Sequence, residues 1–192
     1  MKTISFSKYV IVPETVMIIP EFDSFGNIYS KVIEGKHTFL VKKKPRDIVT
    51  FSLNRYGSDL QGAMKGSKTI IGPCHMPPIR INGTPDMYWI PYISPNHDLC
   101  VWLALHHIED YEEITNNETR VITSHGHSIP LDIGIKKLVD RINKADQLKI
   151  KIEKQTNKTW TFFYDPKIGI ELIKDERNNY QVKREKKVEE EE

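Results

Sequence analysis

Cysteine, long apolar runs and net charge are all scarce in this chain, and each scarcity excludes a class of protein. Two cysteines in 192 residues, Cys74 and Cys100, are too few for a disulfide scaffold, and in the cytosol both stay reduced. The longest uninterrupted apolar stretch covers residues 100–105, far short of the roughly 18 that a membrane span requires. The opening Met1-Lys-Thr-Ile-Ser-Phe-Ser-Lys8 breaks its apolar residues with Ser and Lys and carries no secretory pattern. A cytoplasmic protein without membrane attachment is therefore expected, and three matches to the glycosylation pattern, at Asn82, Asn117 and Asn157, are set aside. The formal charge is only +2, yet residues 189–192 are all Glu. Without them 28 basic residues face 22 acidic ones, a body of +6, a balance suited to a phosphate-bearing partner.

What is present reads as one α+β domain over residues 1–165, mostly antiparallel strands with two main helices, followed by a mobile charged tail over 166–192. Short apolar runs at 9–12, 16–19, 27–33 and 38–41, cut by Pro13, Pro20, Gly26 and Gly35, read as strands. Ile48, Val49, Ser52, Leu53 and Tyr56 recur at helical spacing between Pro45 and Gly57, predicting a helix over 45–56. Three Gly, two Ser and two Lys within 57–68 predict a loop. Strands are expected again at 86–90, 100–108, 120–124 and 128–133, the last two joined by a hairpin at His125-Gly-His127. Ile135, Leu138, Val139, Ile142, Ala145 and Leu148 then stripe a second helix whose other face carries Lys137, Arg141 and Lys144.

Few motifs carry chemistry. Gly62-Ala-Met-Lys-Gly66-Ser67-Lys68-Thr69 approaches a phosphate loop, but its glycines are one residue too close and no strand precedes it. Cys74, His75, His97, Cys100, His106 and His107 are enough ligands for zinc in number, at spacings that fit poorly; a buried thiol sharing a strand face with Trp102 and Ala104 is the better reading of Cys100. No metal is expected. Glu109, Asp110, Glu112 and Glu113 fit a solvated strand edge rather than an acid/base pair, and no catalytic residue is assigned. Basic groups remain: Lys42, Lys43, Lys44 and Arg46 where the first helix begins, Arg55 near its end, and Lys65 and Lys68 in the glycine-rich stretch. Charge on a helix face is by default simple solvation, so by itself this pattern favours nucleic acid only weakly.

The order of several segments taken together is more specific. Pro20-x-x-Asp23-x-x-Gly26-x-x-Tyr29-Ser-Lys-Val-Ile-Glu34, Lys44-Pro45-x-x-Ile48-Val49-x-x-Ser52, Tyr56-Gly-Ser58, His75-x-Pro-Pro-Ile79, Cys100-x-Trp102 and His107-Ile108 resemble the ComK family of competence transcription factors. The resemblance implies an activator of DNA-uptake genes that binds AT-rich promoter boxes in duplex DNA as a homo-oligomer, with no cofactor. On that footing Lys42, Lys43, Lys44, Arg46, Arg55, Lys65 and Lys68 are the expected DNA contacts. It also implies capture by a proteolytic adaptor through the aromatic run Trp160, Phe162, Phe163 and Tyr164. The chain departs from the family pattern where basic residues are usual, with Phe51, Asn54, Ala63 and Met64 in their place and Met76 before the paired prolines. Each lost cation removes a counterion-release contribution to DNA affinity. That departure keeps open an alternative, an interaction module that has lost autonomous DNA binding and modulates another family member.

Overall fold

The computed structural model describes residues 5–6, 8–156, 172–174, 176–177 and 180–182. The chain divides into two units, Met1–Asn157 and Lys158–Glu192. The first is an α+β fold with antiparallel sheets and three helices.

Seven strands build its main sheet: β1 (Ser5–Phe6), β2 (Thr15–Phe22), β3 (Ile28–Glu34), β4 (His37–Val41), then, beyond α1 (Pro45–Arg55) and α2 (Leu60–Ile71), β5 (Ile79–Gly83), β6 (Asp86–Pro91) and β7 (Trp102–Ala104). Their spatial order is β1-β4-β3-β2-β7-β6-β5, antiparallel throughout except for the β1–β4 pair. A second sheet, β10-β9-β8, follows from β8 (Ile108–Thr115), β9 (Glu118–Thr123) and β10 (His127–Leu131), and α3 (Ile135–Thr156) closes the unit. One face of the main sheet, with Ile18, Val32, Trp89 and Trp102, packs on Ile48, Val49 and Leu53 of α1 and Leu60 of α2. The other face, with Met17, Ile33 and Leu103, packs on Val121 and Leu131 of the second sheet and Leu138 of α3. Covered on both faces, the central strands need apolar residues at successive positions rather than alternate ones; Met87–Ile90 and Val101–Ala104 are buried without a break.

Three expectations are corrected. Residues 57–68 are not a loop: they largely belong to α2, whose N-cap Asp59 accepts from the Gly62 amide at 2.8 Å and which stops at Gly72 with φ of 95°. Its glycines hide a helical stripe, because Leu60, Ala63, Met64, Ser67 and Ile71 fall on one face. Residues 9–12 are not a strand. Ile11 donates its amide to Ser52 Oγ at 2.9 Å and its carbonyl accepts from Tyr56 Oη at 2.8 Å, so side chains of α1 and of the turn after it satisfy the backbone that a ladder would otherwise have used. The run at 100–108 is cut by a 3-10 turn, Leu105–His107, after which the acidic segment forms β8, a charged edge strand that discourages further pairing. The expected hairpin at 125–127 is present, with positive φ at both His125 and Gly126.

In the second unit the described residues form one antiparallel pair, β11 (Leu172–Lys174) with β12 (Tyr180–Val182), in a stretch whose composition reads as tail. The expected boundary at 165 and the run 160–164 lie outside the described residues.

Candidate nucleic-acid interface

The first cluster of lysines sits where β4 hands over to α1. Val41 is the last β4 residue paired to β3, opposite Ser30, and Ser30 Oγ donates to the Lys43 carbonyl at 2.6 Å. The turn is thus pinned to the sheet through its backbone while the Lys42 and Lys43 side chains stand exposed, with no ion pair among the described residues. Lys44 behaves differently. It is the N-cap position of α1, with extended backbone and no side-chain cap, and its ammonium donates to Asp98 at 2.5 Å. That hydrogen bond and charge raise the Lys44 pKa and lower that of Asp98. Lys44 therefore braces the 94–99 loop. Arg46, in the first turn of α1, adds a second positive charge near Asp98.

The 94–99 loop carries this surface on to α2. Asn96 lines an open groove of about 530 Å³ with Lys65 and Lys68, which lie three residues apart on the exposed face of α2. Pro73 is shared between that groove and a second, of about 470 Å³, whose walls include Lys136, Lys137, Arg141 and Lys144 of α3. Lys42, Lys43, Lys44, Arg46, Lys65 and Lys68 are thereby linked in one chain of neighbours. Arg55 is not: it lies ten residues along α1 from Pro45, about 15 Å at helical rise, and none of these features reaches it.

Lys136 was missed by the periodicity argument, which followed the apolar stripe. Its position would have revealed it, for Lys136 and Lys137 occupy the first turn of α3, which holds no acidic residue, although the helix dipole disfavours cations there. Arg141 and Lys144 are partly committed. Arg141 lies 6.0 Å from the Tyr92 ring and donates to the Pro91 carbonyl at 3.4 Å, and Lys144 pairs with Asp140 at 2.6 Å.

The near-phosphate loop at 62–69 lies wholly within α2, so its amides are spent on the helix and cannot cradle a phosphate. The zinc candidates are also dispersed by the fold. Cys100 is buried, donates to the Ile93 and Val101 carbonyls at 3.5 and 3.4 Å, and has its thiol pKa pushed up by burial to about 11. Its place beside Trp102 and Ala104 in the core bears out the buried-thiol reading. His106 and His107, inside the strand expected over 100–108, instead sit on the 3-10 turn and both aim Nε2 at the Pro13 carbonyl, each at 2.8 Å. A carbonyl only accepts, so both rings carry their proton on Nε2. His107 Nδ1 then accepts from Ser124 Oγ, and His127 Nε2 donates to the Gly35 carbonyl at 2.6 Å. Among the described residues no group of three or more His, Cys, Asp or Glu is placed to hold a metal, and no helix is long and apolar enough to cross a membrane.

Comparison with known proteins bears on this arrangement directly. The family model described as ComK protein matches residues 6–157. The chain belongs to the ComK family. The competence transcription factor of Bacillus subtilis (strain 168) is similar, 26% identical over 145 residues that cover 76% of this chain and 75% of that protein. No solved structure matches the chain. The ComK match contains every basic position discussed above and stops before the aromatic run at 160–164. It also contains the four positions with neutral residues. Phe51 and Asn54 are exposed on α1, beside an apolar groove of about 300 Å³ that reaches Lys8, Tyr9 and Lys43, whereas Ala63 and Met64 pack against the core.

Proposed function

We propose that this member of the ComK family is a cytoplasmic transcriptional activator of competence genes that binds AT-rich duplex DNA as an oligomer. One observation carries the reading: Lys42 and Lys43 project from a backbone pinned to the sheet, free of internal ion pairs among the described residues, and begin a run of cations that continues through Arg46, Lys65 and Lys68. Free ammonium groups on a rigid support suit phosphates, since each neutralised phosphate releases counterions and adds to affinity. AT-rich tracts add a narrow minor groove of enhanced negative potential. The relative from Bacillus subtilis, described as a competence transcription factor, supports the same assignment. Anisotropy titration of the full chain against AT-rich and GC-rich duplexes at two salt concentrations tests it. Salt-dependent binding that prefers the AT-rich duplex is expected; absence of binding at low salt overturns it.

The apolar groove at Phe51 favours a second reading, an interaction module that acts through another family member. DNA binding that appears only when that member is added would establish it. We also propose that Trp160, Phe162, Phe163 and Tyr164 are the anchor for a proteolytic adaptor, because aromatic rings give large contact area at small rotamer entropy. Deleting residues 159–192 should then leave a folded domain that the adaptor no longer captures. A truncated chain that loses its cooperative melt would assign those rings to a core instead.

A further inference from the structure

The turn between β2 and β3 displays apolar surface where a soluble protein would ordinarily hide it. Phe25 at its tip is 89% exposed and Phe22 at its base is 59% exposed, although burying a phenyl ring is worth about 1.5–3 kcal/mol. The tip is not slack. Asp23 Oδ1 accepts from the amides of Phe25 and Asn27 and Oδ2 accepts from Asn27 Nδ2, all at 2.8 Å. Two backbone hydrogen bonds between Asp23 and residues 26 and 27 close the loop, with Gly26 at φ of 81°. The ring at position 25 is thus presented outward by a turn whose polar groups face inward.

Its position on the sheet points to a partner. Ile28 and Tyr29 extend β3 past Ser30, the residue that pins Lys43, so the tip projects from the end of the sheet that carries Lys42 and Lys43. At 3.3 Å per residue the base of the turn, Phe22 opposite Ile28, stands about 7 Å beyond Ser30. The acidic groups on the hairpin are already engaged: Glu21 pairs with Lys31 at 2.9 Å, and the Asp23 carboxylate is turned back into the loop, where hydrogen bonds led by Asn27 hold its pKa below the ordinary carboxylate value. β-ribbon proteins that bend DNA insert an apolar side chain from the minor groove between base steps, while nearby cations hold the phosphates.

We propose that the β2–β3 tip is such a wedge: Phe25 enters the minor groove and separates a base step, Phe22 backs it, and Lys42 and Lys43 grip the flanking phosphates. This rests on the DNA-binding reading and adds a mechanism to it. Insertion at flexible pyrimidine–purine steps, TA above all, costs least, which makes the wedge a source of AT preference without hydrogen bonds to base edges.

The test uses the full chain and an AT-rich duplex with 2-aminopurine beside a TA step, read together with DNA bending by circular permutation. The native chain is expected to raise the 2-aminopurine fluorescence and bend the duplex. Phe25→Ala should abolish both signals and weaken binding by about tenfold, with an unchanged thermal melt because the ring has no packing to lose. Phe25→Leu, still an apolar wedge, should retain most of both signals. A Phe25→Ala chain that unstacks and bends DNA like the native one overturns the wedge while leaving the DNA-binding reading intact. A native chain that binds no DNA removes the reading itself. If Phe25→Ala leaves DNA binding unchanged and instead disperses an oligomer in sedimentation, the tip contacts a second copy and the wedge is likewise overturned.

Discussion

The two ends of the main sheet solve opposite problems with polar residues. At one end lie the starts of β2 and β4 and the end of β7. Here His106, His107 and His127 each spend a ring nitrogen on a backbone carbonyl, two on Pro13 and one on Gly35, and Tyr9 Oη lies within 2.6 Å of both Thr15 and Glu34. At the other end Lys42 and Lys43 have no internal ion pair among the described residues, and Phe25 is almost wholly exposed. Residue type is a poor guide to this difference, because histidine suggests chemistry and lysine suggests solvent. The partners decide it. Groups satisfied within the chain hold the fold together, and those left unsatisfied on a rigid support remain available to another molecule.

Four measurements sharpen or break that contrast. The largest effect is expected from replacing Lys42 and Lys43 together by Ala. If both neutralise a phosphate, the salt slope falls by up to about two units and affinity at 0.1 M salt falls by up to about sixtyfold, with no change in the melt. An unaltered slope would place the basic end outside the interface. His107→Ala should act in the opposite sense, lowering stability by about 1–3 kcal/mol through the Ser124 hydroxyl it strands and the second hydrogen bond lost at the Pro13 carbonyl, which keeps only His106, while the DNA affinity of the folded fraction stays unchanged. Chemical denaturation and a titration at a temperature well below the midpoint separate the two readouts.

The pH dependence of folding should be smaller. Burial holds the pKa of His107 below its ordinary 6.5, reinforced by the neighbouring His106 and His125 charges and opposed by the Pro13 hydrogen bond and Glu14. The unfolded chain therefore takes up this proton first. Its stabilising contribution is complete above about pH 6.5 and is lost as the pH falls through the folded value. His107→Gln should flatten that part of a stability profile recorded from pH 8 to pH 5, and a profile identical to the native one would show that another group is responsible. The smallest effect is a gain. Gly66 lies in α2 with nothing within 4 Å of the position a Cβ would take, so Gly66→Ala should stabilise the chain by about 0.5–1 kcal/mol. A loss there would show that this face of α2 is already covered by a partner.

Local signals settled a good part of this protein. Pro45 and Gly57 bracket α1 as the sequence predicts, because proline at the first turn and glycine after the last need no tertiary help. The hairpin at 125–127 and the apolar stripe that becomes α3 follow equally from short-range pattern. The family was legible from motif order, and the basic groups at 42–46 from composition. What stayed illegible depends on groups distant in the chain. α2 was hidden by two glycines whose cost is covered by the Asp59 cap and by packing of Leu60 and Met64 on the core. Residues 9–12 have strand-forming side chains, yet Ser52 and Tyr56, more than forty residues away, take both polar groups of Ile11. Lys44 could not be told from Lys43 until Asp98 was seen beside it, and the histidines could not be told from ligands until Pro13 and Gly35 came within reach. Sequence alone determines which elements can form and where charge is concentrated, since propensity, capping and periodicity act over a few residues. Only the tertiary structure decides which polar groups are consumed, because each hydrogen bond or ion pair needs a partner brought in by the fold.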